Sequence, residues 1–294
     1  QGQQNEPSFR LHEEIMAAAF RAHPYRNLVI GEEVDLRALQ ADDLARHYHR
    51  YYRPNNAILT LAGDFETDEL VARIQALFAP IPAGEVPPPP NRPEPPQTGE
   101  RRVTVSGPGE TTFMRVVYHA PPPTDPAYYP LLVAMSLLTG ANILNLFGGG
   151  LSHKTSRLYP VLVDKEIAVT FGGSASTNVD PSLHGFSLTV HPSSHPEIAL
   201  QALDDEIHRL QDSLPTIDEL ARTMKQARAL FAYGSESIQA QCRWLGYPEI
   251  FADYAWFAGY MERLHSVTPA DVQRAAQTYL RPQIRTVGVY RPTA

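Results

Sequence analysis

A helix-and-strand unit occurs twice in this chain, and that repetition limits the fold more than any single motif does. Residues 41–63 (ADDLARHYHRYYRPNNAILTLAG) are echoed by residues 269–291 (PADVQRAAQTYLRPQIRTVGVYR). Aligned on Arg53-Pro54 and Arg281-Pro282, the copies share Asp43 with Asp271, Arg46 with Arg274 and Tyr51 with Tyr279, without a gap. Their apolar positions also correspond: Leu44 with Val272, Tyr52 with Leu280, Leu59 with Val287. Each copy reads as an amphipathic helix stopped by proline and followed by a strand. A repeat so widely separated implies two copies of one domain, not a stack of short units. Residues 100–268 lead into the second copy, whereas only residues 1–40 precede the first. The expectation is a duplicated protein whose first half has lost its front.

At 294 residues and 43% hydrophobic, the chain can fill one large or two medium domains. A net charge of −7, with no basic cluster interleaved with aromatics, argues against nucleic acid as a partner. The single cysteine, Cys242, excludes an internal disulfide and a cysteine-built zinc site, and leaves the compartment open between periplasm and cytoplasm. Between Asp125 and His153 no residue is charged, and length alone permits a membrane span. Ser136, Thr139, Asn142, Asn145 and several glycines interrupt that run, and no basic flank marks one side. A buried core helix followed by a glycine loop is expected, and no membrane span.

Residues 8–22 carry Leu11, Ile15, Ala18, Ala19 and Ala22 on one helical face, before an irregular segment from His23 to Gly31. The first repeat supplies a helix over 41–52 and a strand over 57–63. Thr67 can cap a helix bearing Leu70, Ile74, Leu77 and Phe78. The stretch Pro80–Thr98, with consecutive prolines from Pro87 to Pro90, reads as a semi-rigid linker, or as a ligand for proline-binding modules. Beyond it, strands are expected at 101–106, 112–119, 167–176 and 184–191. Helices are expected at 126–139, from Arg157 to Val163, after Ser194 and Pro196, after a Thr216/Glu219 capping box, and around 236–263. Paired strands and grouped helices give an α+β class with antiparallel sheets packed by helices. The divisions expected are 1–80, a linker at 81–99, and 100–294.

Residue chemistry alone nominates no active site. A zincin needs two histidines a helical turn apart with a glutamate base, directly or inverted as H-x-x-E-H, and neither string occurs. His12 has no second histidine, His47 and His49 point to different sides of a helix, and prolines break the turn between His191 and His195. GGGLSHKT (148–155) misses a phosphate-binding loop by one residue, since His153 stands where the second glycine belongs. GGSAS (172–176) does not fit a nucleophile elbow and reads as strand interior. Asp42-Asp43 and Asp204-Asp205 read as solvated helix faces.

The strings FRAHPYRNLVIG (20–31), Asp35 and YYRPNNAILTLAGDF (51–65) resemble the pitrilysin/insulinase family of zinc metallopeptidases, peptidase family M16. GGG…SRLY (148–159), SVTPADVQRAAQTYL (266–280) and TVGVYRP (286–292) extend the resemblance over nearly the whole chain. It implies homologous α+β domains joined by a linker and closing as a clamshell around a chamber. The family's H-x-x-E-H lies upstream of HPY, and its later zinc-binding glutamate falls just ahead of a segment like Gln4-Asn5-Glu6-Pro7. No catalytic or metal-binding residue is therefore expected within this chain; zinc is expected in the full-length parent. Many members also hold substrate with an arginine and a tyrosine after SRLY, and here Val163 and Thr170 stand at those positions. The resemblance thus implies an inactive fragment of a zinc-dependent endopeptidase subunit, with a peptide substrate and a homologous partner subunit carrying the arginine–tyrosine pair. The alternative is a non-catalytic homologue serving as a structural or peptide-binding subunit.

Overall fold

Five short runs alternating apolar and polar residues become the strands of one sheet in this computed structural model, which describes residues 6–89, 91–146 and 153–293. They are β1 (Arg101–Pro108), β2 (Phe113–Ala120), β3 (Ala168–Ser174), β4 (Ser182–Val190) and β5 (Arg285–Thr293), in the order β1-β5-β2-β4-β3. The pairs β2–β4, β2–β5 and β3–β4 are antiparallel, as expected. β1 and β5 pair in parallel, which corrects the expectation of a purely antiparallel sheet. Parallel neighbours need a long crossover, and here the whole intervening chain provides it.

Alternation decides which side each strand residue faces. Met114, Val116, Tyr118 and Ala120 of β2 enter the main core with Phe171, Phe186, Leu188 and Val287. Covering them is α5 (Tyr128–Thr139), which is apolar all round and buried along nearly its whole length. This is the uncharged run after Asp125, and its helical part has 12 residues. Among the described residues no helix is long and apolar enough to cross a membrane. The helix ends at Gly140, whose φ of 97° suits glycine. The glycine stretch that follows, 147–152, lies outside the described residues. β3 passes close beneath α5: a Cβ on Gly173 would sit 3.1 Å from the Thr139 side chain.

The remaining helices of this layer are α6 (Leu158–Leu162), α7 (Pro196–Asp212), α8 (Ile217–Gly234) and α12 (Pro269–Tyr279). The Thr216/Glu219 capping box forms, and Glu219 also takes a two-point ion pair from Arg157 at 2.8 and 2.9 Å. The stretch 236–263 is divided into α9 (Ile238–Gly246), α10 (Tyr254–Ala258) and α11 (Tyr260–His265). Proline at 248 and the Asp253 cap on the Trp256 amide mark the breaks. Beneath α7, the buried Arg285 guanidinium pairs with Asp204 and Glu100 and reaches the Tyr118 hydroxyl.

At the front of the chain, α1 (Pro7–Ala19) buries Leu11, Ile15 and Ala19, followed by Phe20, against Val105, Val117, Leu183 and Tyr290. It therefore lies on the sheet face opposite α5. A Cβ on Gly288 would come within 2.6 Å of Ile15 Cγ1 and 3.0 Å of Leu11 Cδ1, so α1 crosses β5 at the one residue without a side chain. Arg101 donates to the last α1 carbonyls, Ala18 and Ala19, at 2.7 and 2.6 Å, which complements the negative end of the helix. The helix stops at Ala19, short of the expected residue 22. There the backbone N–H groups of Arg21, Ala22 and His23 donate to Glu94 from the proline-rich stretch.

The short helix α2 (Glu33–Ala38), which the sequence reading did not anticipate, precedes α3 (Ala41–Tyr51) and a 3-10 turn at Pro54–Asn56. This succession matches α12 and its 3-10 turn at Pro282–Ile284, and the shared pairs Asp43–Arg46 and Asp271–Arg274 form in both. After the turn the copies part. Residues 285–293 form β5, whereas 57–62 form no strand, a correction to the expected strand at 57–63. Among the described residues no strand lies alongside them to exchange hydrogen bonds, and a strand exists only by pairing. Leu44, Tyr52 and Leu59 are accordingly 61%, 65% and 55% exposed, against 0%, 1% and 2% for Val272, Leu280 and Val287. Thr67 begins α4 (Thr67–Phe78) as its first residue, with Glu66 in the cap position and no side-chain cap bond.

Candidate functional site

α1 covers only the β1, β5 and β2 part of its sheet face, and what it leaves open is a cleft of about 500 Å³ over β2, β4 and β3. The strand register fixes its floor. Arg115 stands opposite Ser187, and Ser187 opposite Gly172; in the next row Phe113, Thr189 and Thr170 align. Small and hydroxylated residues thus pave β4 and β3, while Phe9, Leu11 and His12 of α1 form the wall. One side of the cleft is open because β3 is the last strand of the sheet, and among the described residues its outer backbone groups have no strand partner.

Two groups give the cleft its electrostatics. Arg115 is half-buried and makes no hydrogen bond or ion pair with the described residues; burial lowers its pKa, and a guanidinium stays charged regardless. Burial, and then the charge of Arg115, lowers the pKa of His12, whose Nδ1 is buried without a partner. Arg115 and Glu6 are the charged groups lining the cleft, and burial disfavours protonation of the His12 imidazole beside them.

Of the two positions singled out by resemblance, Thr170 is exposed on β3 and lines this cleft. Val163 ends α6 and packs half-buried on the main core. The HPY string is a structural tie. His23 meets the Asp180 carboxylate through Nε2 at 3.3 Å, and the Tyr25 hydroxyl accepts from the Asp180 amide at 3.2 Å, so the end of α1 is pinned to the β3–β4 connection. Arg115 and His12 were missed as a pair. The sequence signal was an arginine within an otherwise apolar alternation, Phe113-Arg115-Val117, but its lack of a partner depends on the tertiary structure.

The described residues do not fit zinc. No group of three or more His, Cys, Asp or Glu converges among them. His12 faces a cation, His195 pairs with Glu197 alone, His191 bonds Ser193, and His184 is sealed in the core. GGSAS begins inside β3, as expected of strand interior. His153 is packed against Phe171 and Tyr159, and residues 148–152 of the phosphate-loop candidate lie outside the described residues.

A sheet of this topology packed by helices matches known proteins. The model of the peptidase M16 inactive domain matches residues 38–227, more than half of the chain, and the chain belongs to that family. It is 26% identical over 296 residues to a zinc protease of Streptomyces coelicolor, covering 97% of this chain and 61% of that protein. It is 23% identical over 281 residues to the beta subunit of the mitochondrial-processing peptidase of Lentinula edodes, covering 90% and 57%. The solved structure of a protease from Helicobacter pylori superposes with a TM-score of 0.89 at 21% identity, over 99% of this chain and 68% of that one. The fold is that of M16 peptidases, and the chain spans about three-fifths of these relatives.

Proposed function

We propose that this chain is the peptide-enclosing, non-hydrolysing part of a zinc endopeptidase subunit. In this reading residues 1–80 close a first, catalytic-type domain, 81–99 link it, and 100–294 form a second, non-catalytic domain of the same ancestry. Hydrolysis and zinc belong to the part of the relatives that this chain does not span. An extended peptide adds its backbone to the outer edge of β3, with alternate side chains over Thr170 and Ser174. The observation that carries the reading is that unpaired edge beside an open cleft, in a member of a zinc-peptidase family. A relative that is one subunit of a processing peptidase supports a homologous partner subunit, which would supply the arginine and tyrosine that Val163 and Thr170 replace.

The test combines metal analysis, a peptide-cleavage assay and fluorescence anisotropy with labelled unfolded peptides. The expected result is saturable peptide binding without turnover and without stoichiometric zinc. One bound zinc with chelator-sensitive cleavage overturns the non-hydrolysing role, and an absence of peptide binding overturns capture at β3.

A further inference from the structure

We propose that the cleft beside α1 is a carboxylate subsite, in which Arg115 pairs with an acidic side chain or the C-terminal carboxylate of a captured peptide. The inference rests on peptide capture at β3 and adds the chemistry by which that site selects its ligand.

Arg115 sits at the centre of β2 on the outer face, between Ser187 of β4 and Gly288 of β5. Neither neighbour competes for its guanidinium, since one is a short hydroxyl and the other has no side chain. Most other arginines drawn into the structure are engaged: Arg285 with Asp204 and Glu100, Arg157 with Glu219, and Arg101 with the carbonyls ending α1; Arg10 of α1 is half-buried without a partner among the described residues but does not line the cleft. Arg115 is half-buried with no acceptor among the described residues, and its nitrogens open to the cleft, so its five donors are available to an anion that displaces water there. Among the described residues Glu6 is the only carboxylate lining the cleft, and it accepts from Ser8 without an ion pair to Arg115.

The surroundings favour a carboxylate. Ser187, Thr189 and Thr170 line the cleft, and their hydroxyls make no hydrogen bond to the described residues, so they stand ready as secondary donors. His12 offers a neutral ring at the wall, and Phe9, Leu11 and Phe113 flank the charge with apolar surface. A single guanidinium matches a singly charged planar anion by two parallel hydrogen bonds. Three strand spacings, about 14 Å, separate β2 from a peptide added to β3. Extended arginine and glutamate side chains with the bond between them cover that gap, and a peptide terminus turning into the cleft covers it directly.

Three fluorescein-labelled octapeptides of one apolar, β-prone sequence separate the sources. One carries a central glutamate and an amidated C-terminus, one a central glutamine and an amidated C-terminus, and one a central glutamine and a free C-terminus. Anisotropy titrations of the full chain are expected to give at least one carboxylate peptide an affinity about tenfold above the neutral one, the gain of a charge-assisted pair. A glutamate preference identifies a side-chain ligand, and a free-terminus preference identifies a chain end; either supports the subsite. Arg115→Gln is expected to abolish the preference, Arg115→Lys to keep part of it, and the exposed Arg102→Gln to keep all of it, with folding followed by thermal melts. Equal binding of all three peptides, or a preference that survives Arg115→Gln, overturns the subsite while leaving peptide capture intact. No binding of any peptide overturns both.

Discussion

His184 is fully buried in β4, opposite Tyr118 and edge-on to Tyr128. Neither ring nitrogen makes a hydrogen bond of good geometry, and burial, offset slightly by the Ser176 backbone, lowers its pKa to about 4. The folded protein therefore keeps this ring neutral, while the unfolded chain takes up a proton near pH 6.5. Unfolding binds the extra proton, so stability falls as pH drops from about 6.5 to about 4 and loses about 3 kcal/mol in all. His12 and His119, whose pKa values burial also lowers, add in the same direction. Urea unfolding as a function of pH should show this slope, and His184→Phe should flatten most of it. If the variant keeps the wild-type slope, the group responsible is another one. Little of this was readable beforehand. Eleven histidines invite a ligand search, and only packing reveals which are sealed in the core.

At the level of elements, the sequence was most legible where periodicity is local. The positions of Leu11, Ile15 and Ala19, of Leu203, Ile207 and Leu210, and of the Thr216 box predicted α1, α7 and α8 and their buried faces, although Ile198, expected on the α7 face, is exposed and Ala199 is buried in its place. Pairing was less legible, because a strand's partner lies far away in sequence. Residues 57–62 read as well as β5 yet have no neighbour, and the parallel contact of β1 with β5 leaves no local trace. Most hidden was the destination of α1, which precedes the first repeat and packs on the second repeat's strand. Gly288→Val tests that contact. Its side chain would press on Ile15 and Leu11, costing roughly 1–3 kcal/mol by overpacking and loosening α1, with faster proteolysis after Arg21 as the readout. Gly99→Ala, where a Cβ meets nothing within 4 Å, serves as the neutral control. Equal protease resistance in both variants would mean that α1 tolerates a crowded β5.

For the molecule as a whole, the repeat and the family strings made the α+β class and the relationship readable, but not the cleft. That depends on how much of one sheet face a single helix leaves uncovered. The unequal burial of the two copies has a measurable outcome. Leu44, Tyr52 and Leu59 present apolar surface that in the second copy is core, and Val29, Ile58 and Leu77 add further exposed apolar side chains. A net charge of −7 opposes association only weakly at physiological salt. The isolated chain should self-associate with rising concentration in sedimentation velocity, more so at high salt, and Leu44→Glu with Leu59→Lys should restore a monomer. A wild-type chain that stays monomeric throughout would mean that this surface does not drive association.

The crossing of α1 over Gly288 has a counterpart elsewhere. Gly246, at the end of α9, would set a Cβ 2.7 Å from Thr60, and the Cys242 thiol lies 3.2 Å from the Thr60 carbonyl. Thr60 stands seven residues after Arg53 as Gly288 stands seven after Arg281. In each copy of the repeat, the segment after the 3-10 turn thus meets a helix from elsewhere in the chain at the corresponding residue. Neither half can then drift in sequence alone: a larger residue at 288 is tolerated only with a smaller one at 15, and one at 246 only with a change at 60. Among descendants of such a duplication, substitutions at these positions should arrive as matched pairs, inherited together across the length of the gene.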